Sequence, residues 1–179
     1  MKILAIIPAR KNSKRIKNKN KIFLRKKKLI EHTFLLTKKS KFFHQIFLST
    51  DDIDLIKLSK KYNVLAPWIR PKSLSTDYTP SYKVIIHAYN WYEKNFGKVD
   101  GIFILQPTSP FRTKQTIKNM IKIFKRNKKK SVISVSKCNE HPEWMVELKN
   151  NKIFPYMSSK YFTKRSQSLK KLYKINGSG

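Results

Sequence analysis

Acidic residues, glycine, cysteine and long apolar runs are all scarce in this chain, and each shortage excludes something. Only 10 of the 179 residues are Asp or Glu, against 41 Lys and Arg. The one acidic run, Asp51, Asp52 and Asp54, could be imagined as a metal cluster, but helix capping explains it better. His32, His44, His87 and His141 show no metal-ligand spacing either. Glycine is absent before Gly97. That removes both the P-loop pattern G-x-x-x-x-G-K-[ST] and the dinucleotide fingerprint from the first strand and loop. A single cysteine, Cys138, rules out an intramolecular disulfide framework and suits a reducing cytoplasm. The longest apolar runs, "ILAIIPA" and "GIFIL", are too short to cross a membrane. Lys2 followed by apolar residues imitates a signal peptide. The run is short, however, and leads into Arg10, Lys11 and Lys14 with no small-residue cleavage site, so a buried first strand is the better reading.

What remains is enough to fold. Hydrophobic residues make up 40% of the chain and aromatics 12%, and the length suits one domain, 1–179. The formal net charge is +31, which points toward an anionic partner. Yet the excess is 34 Lys against 7 Arg, and Arg is the better bidentate reader of phosphate and guanine. The lysines are spread along the whole chain, so we read most of them as solvated surface. A nucleic-acid module would need Arg-rich patches or a recognised binding fold, and the chain has neither.

Strand and helix patterns alternate from residue 2 to 136. Residues 2–8, 45–50, 63–66, 101–106 and 131–136 read as strands, the first near-continuously apolar as in a sheet covered on both faces. Residues 29–43, the segment after Asp52, 81–96 and 113–127 carry apolar residues at helical spacing. This predicts a Rossmann-like, doubly wound, mostly parallel α/β sheet with helices on both faces. Ligands in such folds sit at the carboxyl ends of the strands. The loops there are 9–21, 67–80 and 106–112. Beyond about 137 the periodicity weakens, and about 138–175 reads as an arm or oligomerisation segment. Tyr89, Trp91 and Tyr92 read as helix-face packing rather than a base-stacking platform.

The loop "ARKNSKRIKNKN" leaves a strand end with Arg10, Lys14 and Lys19 able to converge on a polyanion. Here the residues reach a family. "IIPARKNSKRIKNKN" resembles the opening I-I-P-A-R-x-x-S-K-[GR]-x-x-x-K-N of the acylneuraminate cytidylyltransferases. "RPKSLSTDYTPSYKVI" resembles their R-P-x-x-L-x-x-D-x-[ST] segment, and "LQPTSPFRT" their L-Q-P-T-S-P-[FL]-R. "RSQSLKKLYKING" is similar to their R-[RS]-Q-D-L-P-x-x-Y-x-x-N-G. The matches run in the expected order over nearly the whole chain, and their combination is specific.

The resemblance implies activation of a nonulosonic, sialic-type acid by CTP with Mg²⁺, giving the CMP-sugar and pyrophosphate, in a cytoplasmic homodimer. Arg10 and Lys19 would be the catalytic cations on the phosphates. Ser13, Lys14, Asn20, Arg70 and Ser81 would hold the nucleotide. Gln106 would sit between ribose and sugar acid, with Thr108, Ser109, Arg165, Gln167 and Asn176 on the sugar side. Two departures stand out. Lys11 and Asn12 occupy positions where relatives often carry Gly-Gly. The chain also ends at "INGSG", where relatives continue, so the carboxylates for Mg²⁺ are expected beyond it and no metal ligand is assigned within it. CTP binding is therefore the firmer expectation than turnover. The competing readings are an inactive remnant that binds nucleotide only, and a basic nucleic-acid-binding protein.

Overall fold

The computed structural model describes residues 1–14, 16–127, 130–158, 162 and 165–176. They form two compact units, Met1–Ile133 and Ser134–Asn176.

In the first unit, β1 (Ile3–Pro8) is followed by a polar loop and a 3₁₀ turn, Lys19–Lys21. A short antiparallel ribbon comes next, β2 (Phe23–Leu24) and β3 (Lys27–Lys28). Then follow α1 (Leu29–Ser40), β4 (Gln45–Ser49), α2 (Ile53–Lys60), α3 (Ser81–Phe96), β5 (Gly101–Ile104) and α4 (Lys114–Arg126). β1 is the middle strand of a parallel sheet ordered β4-β1-β5. Ile6 stands opposite Phe47 on one side and Ile104 on the other.

Side chains of β1 alternate between two cores, as the strand period of two requires. Ile3, Ala5 and Ile7 pack with Ile30 and Phe34 of α1, Leu55 of α2, and Ile117 and Met120 of α4. Leu4 and Ile6 pack with Phe47 and with Ile85, Ala88 and Tyr92 of α3. Both faces are therefore covered, which is why the strand tolerates no polar residue. The arrangement is the doubly wound α/β fold that the sequence predicts. Trp91 lies 5.7 Å from Phe47 and Tyr92 is buried, so this stripe is packing.

Local chemistry sets the helix starts. The Asp52 carboxylate accepts the Asp54 N–H at 3.0 Å, and Thr113 Oγ1 accepts the Thr116 N–H at 3.1 Å. The Glu31 carboxylate reaches back to the Lys28 N–H at 2.7 Å. α3 stops at Gly97, whose φ of +81° suits a residue without Cβ.

Two predicted strands come out differently. Residues 63–66 contribute only a bridge, Phe47 to Leu65, because the ladder is cut short between Asn63, at φ +56°, and Pro67. Of residues 131–136 only the end is strand, and it pairs antiparallel in the second unit rather than extending the parallel sheet. That unit holds β6 (Val135–Lys137), β7 (Val146–Lys149), β8 (Lys152–Pro155) and β9 (Tyr173–Ile175), paired β6 with β9 and β7 with β8. Asn150 and Asn151, at φ +48° and +58°, make the two-residue turn of the β7–β8 hairpin, where positive φ matches the strand twist. Among the described residues no helix is long and apolar enough to cross a membrane.

Candidate nucleotide site

β1 and β5 end on the same side of the sheet, and a cavity of about 280 Å³ opens there. Pro8 lines it from the end of β1, and Arg10, Ser13, Lys19 and Asn20 line it from the first loop. Arg70, Leu74, Thr76, Asp77 and Thr79 come from the second, Ser81 and Val84 from the first turn of α3, and Gln106, Pro107 and Thr108 from the segment after β5. Parallel strands whose crossovers run behind the sheet leave this end free for loops. A larger cavity, about 530 Å³, lies along β5 and α4, but its lining is mostly apolar and, among the described residues, Asp100 is the one charged residue in it. Charge and position both favour the smaller cavity as the chemical site.

Hydrogen bonds between the loops hold the first one open around the cavity. The Ala9 N–H donates to the Ser49 carbonyl at 3.0 Å, and the Lys11 N–H donates to Asp51 Oδ1 at 2.7 Å. Buried Asn20 donates its side-chain amide to the Arg10 carbonyl at 3.0 Å, closing the loop on itself. Lys21 Nζ lies 3.0 Å from both Asp52 and Asp54, which pins the 3₁₀ turn carrying Lys19 and Asn20 to the start of α2. Hydrogen bonds to Asp52 and then Asp54 raise the Lys21 pKa.

Arg70 is 4% exposed. Its Nε donates to Ser75 Oγ at 3.0 Å and its Nη1 to the Ser49 carbonyl at 3.4 Å, while Nη2 lies 3.6 Å from Asp51 Oδ1. Burial lowers its pKa, Asp51 opposes that, and the nearby Arg10 adds to it. An arginine still keeps its proton under such strain. Arg70 thus braces the strand ends and carries charge into the cavity wall.

The structure brings together Arg10, Ser13, Lys19, Asn20, Arg70, Ser81, Gln106 and Thr108. Lys14 lies outside the lining, with Nζ 3.5 Å from Asp77 and 5.3 Å from the Tyr78 ring centre. Ser109 is also outside it. Its N–H donates to the Gln106 carbonyl at 3.3 Å, and its own carbonyl accepts from the Arg112 N–H at 3.4 Å, as in a turn. Arg165, Gln167 and Asn176 belong to the second unit. Arg165 and Gln167 are exposed at the 3₁₀ turn Ser166–Ser168. Asn176 donates to Ser136 Oγ at 2.9 Å and accepts from Ser134 Oγ at 2.5 Å.

Sequence reasoning assigns no role to Asp77, yet it is the acid of the R-P-x-x-L-x-x-D segment and its carboxylate pairs with Arg10. Arg10 Nη1 also donates to the Thr76 carbonyl at 3.1 Å. Among the described residues three cations, Arg10, Lys19 and Arg70, thus line the cavity with one carboxylate. Such a balance suits a polyanion. Among the described residues no three His, Cys, Asp or Glu side chains are grouped to hold a metal ion.

A family model described as cytidylyltransferase matches residues 4–174. A CMP-N,N'-diacetyllegionaminic acid synthase of Legionella pneumophila is 33% identical over 180 residues, covering 99% of this chain and 76% of that protein. A pseudaminic acid cytidylyltransferase of Campylobacter jejuni is 32% identical over 173 residues, covering 97% of this chain and 75% of that protein. Among solved structures, a CMP:2-keto-3-deoxy-manno-octonic acid synthetase complexed with CTP superposes with a TM-score of 0.59. At 16% identity, over 75% of this chain and 51% of that one, this likeness concerns the fold alone.

Proposed function

Because the chain belongs to the cytidylyltransferase family, we propose that the cavity at the ends of β1 and β5 seats CTP and that a nonulosonic acid receives its CMP. The chain is a CTP-dependent nucleotidyltransferase. The observation that carries the site assignment is the convergence of Arg10, Lys19 and Arg70 with Ser13, Asn20, Ser81 and Gln106 on one small cavity.

In this reading the sugar's anomeric hydroxyl oxygen attacks the α-phosphorus of CTP in line. The bond from that phosphorus to the bridging oxygen of the β-phosphate breaks, and its electron pair leaves on pyrophosphate. The hydroxyl proton is released. Arg10 and Lys19 stabilise the charge that grows on the leaving group, and positioning does most of the remaining work. Gln106 spans the ribose and the sugar acid, with Thr108 and Ser109 toward the sugar. Arg165, Gln167 and Asn176, all of the second unit, are proposed as residues that bind a sugar acid, an arginine suiting its carboxylate. That unit would act as the arm of a homodimer, a reading supported by its exposed Leu148, Ile153 and Phe154. A cytoplasmic setting accords with the single free Cys138.

Cytidylyltransferases generally use Mg²⁺. The donor set described around this cavity does not fit such an ion, because its one carboxylate among the described residues, Asp77, already faces Arg10 and Lys14.

The test is pyrophosphate release with CTP, Mg²⁺ and a panel of nonulosonic acids. Release should depend on one class of sugar acid and fall by about a hundredfold or more in Arg10→Ala. Release independent of any sugar acid, or undiminished in that variant, would overturn the assignment.

A further inference from the structure

We propose that Asp77 is a displaceable counter-ion of the cavity, competing with the triphosphate for Arg10. The proposal rests on the reading of the cavity as a polyphosphate site.

Both terminal nitrogens of Arg10 are engaged by the second loop, Nη1 by the Thr76 carbonyl and Nη2 by Asp77. The other Asp77 oxygen faces Lys14 Nζ at 3.5 Å. The carboxylate thus presents one oxygen to each of two cations, as a phosphate would. An arginine fork committed in this way must release the carboxylate before it can grip a phosphate bidentately.

Exposure says which acid can let go. The Arg10 and Asp77 side chains are 31% and 30% exposed, and Lys14 is 69% exposed. Pairs this open to water contribute little and exchange easily. Asp51 is the contrast. It faces the Arg70 guanidinium, only 3% exposed, and also accepts the Lys11 N–H, so it is built into the loop framework. Asp77 therefore weakens the grip on every polyphosphate, the product pyrophosphate included, and speeds its release.

The experiment is calorimetric titration of inorganic tripolyphosphate and of CTP, at fixed salt, into the wild type, Asp77→Asn and Asp77→Ala. Glu93→Gln, in the last turn of α3, removes one negative charge away from the cavity and controls for net charge. Both Asp77 variants should bind tripolyphosphate and CTP about two- to fivefold tighter, with Glu93→Gln unchanged. Inhibition by pyrophosphate should strengthen and KM for CTP should fall, without a rise in kcat. Weaker or equal binding in the Asp77 variants would overturn the proposal and make Asp77 a residue that merely orients Arg10. Equal tightening in Glu93→Gln would overturn it too. Tripolyphosphate that tightens as described while CTP fails to bind would uphold the counter-ion and remove the CTP reading. Tripolyphosphate bound by none of the proteins would remove the counter-ion.

Discussion

Tyr62 donates its hydroxyl to Glu31 at 2.5 Å, and the other Glu31 oxygen accepts the Lys28 N–H at 2.7 Å. One carboxylate thus fastens the segment after α2 to the first turn of α1. Burial pushes the Glu31 pKa up, but the hydrogen bonds from Tyr62 and Lys28 outweigh it, and the net shift is below the ordinary 4.5. The same hydrogen bond pushes Tyr62 up to about 12. The signs are opposite in their consequences. Glu31, with its folded pKa depressed, contributes stability above pH 4.5 that is lost as pH falls through the folded value. Tyr62, with its folded pKa raised, contributes stability below its ordinary 10.0 that is lost as pH rises toward 12. Tyr62→Phe should therefore cost about 1 kcal/mol near neutral pH. It should also flatten the decline in stability on the alkaline side. Urea melts across the pH range measure both, and a variant with an unchanged alkaline slope would contradict the assignment. Contacts like this one leave little trace in a sequence. Glu31 and Tyr62 are 31 residues apart, and Arg10 and Asp77 lie farther apart still, so no period connects them. Arg10 and Lys19 line the cavity while Lys14 of the same motif does not, and Asp77 stands in a quoted motif although its pairing with Arg10 leaves no trace in the sequence.

At the scale of elements, periodicity reads well where burial dictates it. β1 is covered on both faces and α3 on one, and both stand where apolar spacing predicts. Segments whose extent depends on a distant partner read poorly. Residues 63–66 had the composition of a strand but gained only a bridge to β4, and residues 131–136 found their partner in Tyr173–Ile175. The β7–β8 hairpin reads poorly for a different reason, since its partner is local but its strands carry no burial period. Every residue in both strands is exposed, and Leu148 stands opposite Ile153 in the register. A contiguous exposed apolar patch marks an interaction surface, and Leu148, Ile153 and Phe154 are all exposed on this hairpin. If the second unit is a dimer arm, Leu148→Glu with Ile153→Glu should convert a dimer to a monomer in sedimentation velocity, leaving the far-ultraviolet spectrum intact. Equal sedimentation of the variant and the wild type would count against the arm.

The whole molecule carries a formal net charge of +31, and the cavity accounts for only a few of those charges. Self-repulsion on this scale destabilises a compact state, and salt relieves it within a Debye length of about 10 Å at 0.1 M. Salt also screens the attraction between the loop cations and a triphosphate. Raising NaCl from about 0.05 to 0.5 M should therefore raise Tm while weakening CTP binding, two opposite responses from one electrostatic cause. Duplex DNA separates the surface lysines from the site. If the lysines are solvated surface, DNA binding should fall by about a thousandfold or more between 0.05 and 0.2 M salt, with no sequence preference. Arg10→Ala should leave that binding almost unchanged while abolishing most CTP binding, because one cation among 41 is a small part of a diffuse field and a large part of a small cavity. Filter binding and calorimetry on the same two proteins decide the matter. DNA binding that persists at 0.2 M salt with sequence preference would give the positive charge a function of its own.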